Sequence, residues 1–418
     1  MQGDDGRLHH LMNQVLHSNR DMAEDGRLSV GEQVPIVKLA NRIIEIGIEA
    51  KASDIHLEPL KDGFRLRYRL DGILWQWPEI FPRRAYERLI GRLKIMANMD
   101  TSDRRKPADG HLRYRYPNGQ MDIRAASIPV KHGESMVLRL MRNEEELRSI
   151  EELGFTPENE ALFRRLVHAP SGMVIVSGPM NSGKSSSLYA ALQSLNVTSR
   201  HIMTIEDPVE CELDGVNQVE VSVKTGLSFA AGLRAALRLD ANCLMVGEIR
   251  DPETAQIAIR AALTGHMLLT TVHAEDSVST IFRLLEMGVA PFMLAATLSG
   301  VVAQRLVRRL CPYCQEEDTE AELDDEEIKA GASPPTFYRG RGCDQCRQTG
   351  FLGRLAIHEI LTVTPPLKEA ILARRNIEEV RRMAKEAGLQ TLYKDGLEKA
   401  LLGLTTLSEV RRVLYGDG

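Results

Sequence analysis

Two glycines, a lysine and a serine stand at polyphosphate-binding spacing in Gly178-Pro179-Met180-Asn181-Ser182-Gly183-Lys184-Ser185, with Ser186 next in the chain. Gly178 and Gly183 let the backbone approach phosphates, Lys184 brings a point charge to the β- and γ-phosphates, and the Ser185 hydroxyl can ligate Mg²⁺. The apolar run Met173–Ser177 precedes the loop and the helix-forming SSLYAALQSL follows it. That strand, loop, helix order lets backbone N–H groups and a helix N-terminus wrap an anion. The stretch is therefore read as a nucleotide-binding loop, not as an ordinary glycine turn between strand and helix.

Phosphoryl transfer to water also needs a metal, a carboxylate to orient the water, and cations for the developing charge. Ile205-Glu206-Asp207-Pro208-Val209-Glu210 supplies three carboxylates after one apolar run, and Val246-Gly247-Glu248 supplies another after a second. In open α/β sheets ligands bind at such strand ends. Gly247 stands where many P-loop enzymes have an aspartate, which argues against direct metal ligation there. His266 and His273 bracket a third apolar run and are candidates to report on the γ-phosphate. Separately, Cys311-x-x-Cys314 and Cys343-x-x-Cys346 fit a closed tetrahedral Zn²⁺ site with no open position for catalysis.

These groups must be carried by elements the chain can build. At 418 residues it has room for two or three domains. With 43% hydrophobic residues, 27% charged residues and a net charge of −5, it reads as a soluble globular protein and not as a dedicated nucleic-acid binder. No cleavable leader is visible. The uncharged run from Met287 to Ala303 is too short to span a bilayer, and we read it as a buried helical segment of a cytoplasmic protein.

Residues 1–33 read as a polar tail or linker. Pro35 to Ile48 has helical periodicity, with Pro35 in the first turn. Phe64–Leu70 alternates apolar residues with arginines before the Asp71-Gly72 turn, and Leu112–Tyr116 does so before Asn118-Gly119, which predicts two hairpins. Residues 34–145 then form a small mixed α/β N-terminal domain, 146–156 a charged linker, and 157–418 an α/β domain with a mostly parallel sheet covered on both faces. Helices close the chain over 360–418.

The succession GPMNSGKSS, TIEDPVE, LRAALRLD, VGEIRDPETA, ALTGHMLLTTVHAED and QRLVRRLCPYC resembles the secretion ATPase family of type II secretion and type IV pilus systems. The likeness covers nearly the whole chain from about residue 34. It implies a RecA-like P-loop core, with ATP, Mg²⁺ and Zn²⁺ as ligands and a zinc module over 305–350. It also implies a cytoplasmic homohexameric motor that acts at the inner membrane with a platform protein and a membrane-recruiting protein, without nucleic acid. By the resemblance, Lys184 and Ser185 belong to the Walker A motif, Glu206, Asp207 and Glu210 to an Asp box, Glu248 to Walker B, and His266 and His273 to a His box. Glu210 is then the choice for the water-activating base, with Glu206 in reserve. Arg124, Arg139, Arg234, Arg238 and Arg354 fall on the arginines that gather round the phosphates from the same or a neighbouring subunit.

Two departures stand out. Asn181 replaces a glycine of the usual loop, and Asn tolerates positive φ better than most residues. His273-Ala274-Glu275-Asp276 stands where the family usually has HTND. They motivate a rival reading, a nucleotide-dependent switch or scaffold with little turnover, beside a second rival, a nucleic-acid-translocating RecA-like ATPase. The tetracysteine module is typical of the family's assembly and secretion motors, but the sequence leaves the choice between type II secretion, type IV pili and DNA-uptake pili open.

Overall fold

The computed structural model describes residues 8, 10–11, 14–15, 30–117, 119–141, 147–319 and 336–416. The chain divides into two compact units, Met1–Glu145 and Glu146–Gly418.

In the first unit, alternating side chains build an antiparallel sheet. It comprises β1 (Asp54–Pro59), β2 (Phe64–Leu70), β3 (Ile73–Gln76), β4 (Ala108–Tyr116), β5 (Gly119–Val130) and β6 (Gly133–Met141), in the order β3-β2-β1-β6-β5-β4. Ile55, Leu57, Phe64, Leu66, Tyr68, Met136 and Leu138 are buried, while the intervening residues carry the arginines. Helices α1 (Val30–Glu49) and α2 (Arg83–Met96) contribute Leu39, Ile43, Leu89 and Leu93 to the same core. Asp71 and Gly72 take φ of 48° and 88°, the two positive values that a tight hairpin turn requires. Asn118, of the other expected turn, lies outside the described residues, but Tyr116 pairs with Gly119 across it.

Two expectations for this region change. Pro35 lies inside α1, in its second turn, because the helix begins at Val30. Most of the stretch read as a polar tail lies outside the described residues. Leu8 and Val15, however, are buried in the unit's core, so that part of it is packed rather than solvated.

In the second unit, β7 (Gly172–Ser177), β8 (Ile202–Glu206), β9 (Asn217–Glu220), β10 (Cys243–Val246), β11 (Met267–Val272), β12 (Leu298–Leu310) and β15 (Phe351–Thr362) form one sheet, ordered β15-β12-β7-β11-β10-β8-β9. All neighbours are parallel except the edge strand β15. β13 (Gln315–Glu317) and β14 (Tyr338–Gly340) make a separate small ribbon. The wholly buried strands β7, β8, β10 and β11 are the apolar runs of the sequence.

The helices of this unit are α3 (Pro157–Val167), α4 (Lys184–Leu195), α5 (Phe229–Ala236), α6 (Pro252–Leu263), α7 (Ser277–Glu286), α8 (Pro291–Thr297), α9 (Pro365–Leu372), α10 (Ile377–Glu386), α11 (Leu392–Leu401) and α12 (Leu407–Tyr415).

The uncharged run Met287–Ala303 departs from the helix expected of it. Only Pro291–Thr297 is helical, and β12 takes over at Leu298. The β-branched pair Val301-Val302 suits a strand, and Gly300 lets Leu166 pack close, since a Cβ there would lie 2.7 Å from Leu166 Cδ1. The stretch read as a linker is also anchored. Ile150 and Leu153 are buried on a short 3-10 turn, capped by Ser149 and Glu152.

Candidate nucleotide site and cysteine cluster

Parallel pairing brings the carboxyl ends of four strands to one edge of the sheet. Ser177 of β7 lies beside Val272 of β11, and Val246 of β10 lies between Thr270 of β11 and Ile205 of β8. The phosphate loop, Glu206, Glu248 and His273 therefore emerge together.

Asn181 has φ 62°, the conformation expected to favour asparagine over most residues, while Gly178 and Gly183 stand at 153° and 84°. Lys184 is buried at the start of α4, and its ammonium donates to the carbonyls of Gly178 (3.0 Å) and Pro179 (2.8 Å). Burial and the nearby positive charge of Arg305 bring its pKa down to about 8, against the opposing pull of Glu248 and Glu210.

Glu248 pairs with Arg250, and its carboxylate lies 3.5 Å from His273 Nε2. Its loop is pinned at both sides: Gly247 N–H donates to Ile205 O (2.8 Å), and Thr271 Oγ1 donates to Gly247 O (2.7 Å).

Glu206, the reserve choice for the base, is held by its neighbours. Its buried carboxylate accepts from Tyr189 Oη, from Thr204 Oγ1 (2.6 Å) and from Gln218 Nε2 (3.1 Å). Three donors thus engage both of its oxygens in this conformation. Glu210 is exposed, and its backbone N–H donates to the same Tyr189 oxygen at 3.2 Å.

His266 does not join this edge. It precedes β11 and its carbonyl accepts from Gly172 N–H, at the opposite end of the sheet, so about 20 Å of strand separates it from His273. Its Nδ1 lies 3.0 Å from Ala261 O, a local tie at the end of α6. Arg234 pairs with Glu253, and Arg238 donates to Arg234 O at 3.1 Å. In the first unit, Arg124 and Arg139 are cross-strand neighbours, and Arg139 Nε donates to Asp54 at 3.0 Å. Arg354 on β15 faces Arg308 on β12.

Several residues around the site were given no role from the sequence, although Thr204, Gln304 and Arg305 lie within the quoted stretches. Tyr189, Thr204 and Gln218 hold Glu206, and Gln304 and Arg305 lie on β12. Arg305 donates to the carbonyls of Gln304 (3.1 Å) and Glu275 (2.6 Å), which ties β12 to the segment after His273. Asp276 in that segment accepts from Arg381 of α10 at 2.8 Å, and buried Glu359 accepts from Ser277 N–H at 3.0 Å.

Elsewhere in this unit, the Sγ atoms of Cys311, Cys314, Cys343 and Cys346 lie within 4.8 Å of one another. The separations are 3.8 Å for Cys311–Cys343, 3.8 Å for Cys314–Cys346 and 3.7 Å for Cys343–Cys346. A tetrahedron with metal–sulfur bonds of about 2.3 Å has edges of about 3.8 Å, so the thiols fit a four-coordinate metal. Burial opposes ionisation of Cys346, but N–H groups of Cys343 and Gly350, each 3.2 Å from its sulfur, outweigh it and bring the thiol down to about 7. The knot is fastened to the turn between α11 and α12, where Leu310 N–H donates to Leu404 O at 2.9 Å and Gln315 Nε2 to Gly403 O at 3.1 Å. The acidic insert between the cysteine pairs lies largely outside the described residues.

A mostly parallel sheet with a phosphate loop after one strand and acidic residues after its neighbours defines a P-loop ATPase. Residues 30–412 match the model of the family described as type II/IV secretion system protein, and the chain belongs to that family. It is 40% identical over 403 residues to the type II secretion system ATPase E of Vibrio cholerae, covering 95% of this chain and 78% of that one. With the type IV pilus assembly ATPase PilB of Myxococcus xanthus it shares 41% over 394 residues, covering 92% and 69% respectively. Among solved structures, the pilus retraction motor PilT with bound ADP aligns at a TM-score of 0.60 and 27% identity, over 88% of this chain and 95% of that one. The Legionella pneumophila ATPase DotB shares the fold at a TM-score of 0.65 and 20% identity, over 95% and 98%.

Proposed function

We propose that this ATPase is a homohexameric motor that powers assembly of a type II secretion pseudopilus or a type IV pilus, working from the cytoplasmic side of the inner membrane with a platform protein and a membrane-recruiting protein. The observation that carries the reading is the convergence of Lys184, Glu248 and His273 at the ends of three adjacent parallel strands. The relatives named for type II secretion and for pilus assembly support the choice of machine. No helix among the described residues is long and apolar enough to cross a membrane, so attachment falls to partners in this reading.

In the proposed site, loop N–H groups and Lys184 bind the β- and γ-phosphates of ATP. Ser185 holds Mg²⁺, which neutralises phosphate charge when bound. Glu210 orients the attacking water, Glu248 fixes His273 toward the γ-phosphate, and Arg124, Arg139, Arg234, Arg238 and Arg354 are the candidate cations from the same or a neighbouring subunit. Zn²⁺ held by the four cysteines stabilises its module and takes no part in hydrolysis.

Steady-state ATP hydrolysis by Lys184→Ala tests the site. Loss of a phosphate-facing charge predicts a fall of about 10²-fold or more, whereas unchanged turnover would place hydrolysis elsewhere.

A further inference from the structure

Strand β12 presents to the phosphate loop a residue to which no role has been given above, the first of the QRLVRRLCPYC stretch. The Gln304 side chain is buried and its amide is engaged at both atoms. Nε2 donates to the Ser182 carbonyl at 2.8 Å, and Oε1 accepts from Ser187 Oγ at 2.6 Å. Ser182 belongs to the loop and Ser187 to the first turn of α4, so one side chain clamps loop to helix.

A planar trans peptide sends its C=O and N–H in opposite directions. Holding the Ser182 carbonyl on Gln304 therefore turns the Gly183 N–H, which shares that peptide, to the other side. Inward-facing N–H groups are what a phosphate loop offers its ligand. The glycines fit the same arrangement. A Cβ on Gly178 would lie 2.5 Å from Gln304 O, and one on Gly183 would lie 2.8 Å from Gln304 Nε2. The loop needs glycine to approach β12 as much as to approach phosphate.

We infer that Gln304 is a positioning residue of the nucleotide site, setting the Ser182–Gly183 peptide so that the Gly183 N–H faces the phosphates. The inference rests on reading residues 178–185 as that site. The amide both donates to the carbonyl and accepts from the hydroxyl, which neither a thioether nor a carboxylate can do. Methionine would fill the volume and leave both groups unpaired. Glutamate would set a carboxylate oxygen against the Ser182 carbonyl. ATP affinity should therefore fall in the order wild type, Gln304→Met, Gln304→Glu.

The test measures binding of a fluorescent ATP analogue to the full chain for wild type, Gln304→Met, Gln304→Glu, Ser187→Ala, the Ser187→Ala/Gln304→Met double variant and Lys184→Ala, with melting temperatures taken without nucleotide. Leaving a buried carbonyl unpaired predicts a rise in Kd of about tenfold for Gln304→Met and a larger one for Gln304→Glu. KM should rise with it, while kcat at saturating ATP holds within about twofold, the pattern of lost uniform binding. The double variant should bind no more weakly than Gln304→Met, because the two side chains act as one clamp.

If Lys184→Ala loses binding while Gln304→Glu binds as well as wild type, the inference falls and the site reading stands. If Lys184→Ala binds normally, the site reading falls and takes the inference with it. Equal losses in both Gln304 variants that track equal drops in melting temperature would assign the residue to packing and overturn the inference.

Discussion

The Tyr189 hydroxyl, on the helix behind the phosphate loop, donates to Glu206 at the end of β8. Because the same oxygen accepts the Glu210 N–H, one phenol links the helix, the buried carboxylate and the proposed base. Tyr189→Phe leaves a buried carboxylate short of one donor and the Glu210 amide without this partner, at a cost of about 1–3 kcal/mol. We expect a lower melting temperature and a lower kcat together. Glu210→Gln, which leaves that framework intact, should abolish turnover with little change in melting temperature. Turnover that survives Glu210→Gln but disappears in Glu206→Gln would reverse the assignment of the base.

The phosphate loop and the four strands around it were legible because a fixed spacing and wholly apolar runs mark them in one dimension. What surrounds them was not. Gln304 matters because β12 lies beside β7, a neighbour relation created by a crossover of more than a hundred residues. His266 was grouped with His273 because both flank β11, yet a parallel strand separates its two ends by its full length. The uncharged run Met287–Ala303 suggested a helical segment, but after the helical turns the β-branched residues of β12 reverted to their own preference. Glu206 reads as an available acid in sequence, and only packing reveals the three donors around it.

Binding of phosphate should raise the pKa of Lys184 from about 8, since a bound anion favours the ammonium. A group whose pKa is higher in the complex makes binding take up a proton, so affinity is full below the free-state value and falls above it. ATP affinity at fixed Mg²⁺ should therefore weaken from about pH 8 upward, by up to about tenfold per pH unit. Isothermal titration between pH 7 and 9.5 measures this. A flat profile would mean that Lys184 is charged throughout.

In the first unit, buried Lys94 pairs with buried Glu134. Lys94→Met alone strands a carboxylate and should cost about 3–5 kcal/mol, whereas Lys94→Met with Glu134→Leu should be near neutral. Thermal unfolding of both variants decides it. A double variant as unstable as the single one would show that the pair supports the fold through more than mutual neutralisation.

The cysteine cluster predicts one bound zinc per chain and a module that depends on it. Zinc binding in such sites is worth on the order of 10 kcal/mol, so Cys346→Ser or chelation should open 311–319 and 336–350 to proteolysis. Metal analysis beside limited digestion checks this. A metal-free chain with unchanged protection would leave the thiols as packing groups.

The most direct test of a hydrolytic motor completed between subunits is steady-state ATP hydrolysis against protein concentration, run beside Glu210→Gln. Arginines delivered across an interface are worth about 10³ to 10⁵ in rate. The account predicts activity per subunit that climbs with concentration and vanishes in the variant. Activity per subunit that stays flat from dilute to concentrated protein would contradict it and make each chain a self-contained ATPase.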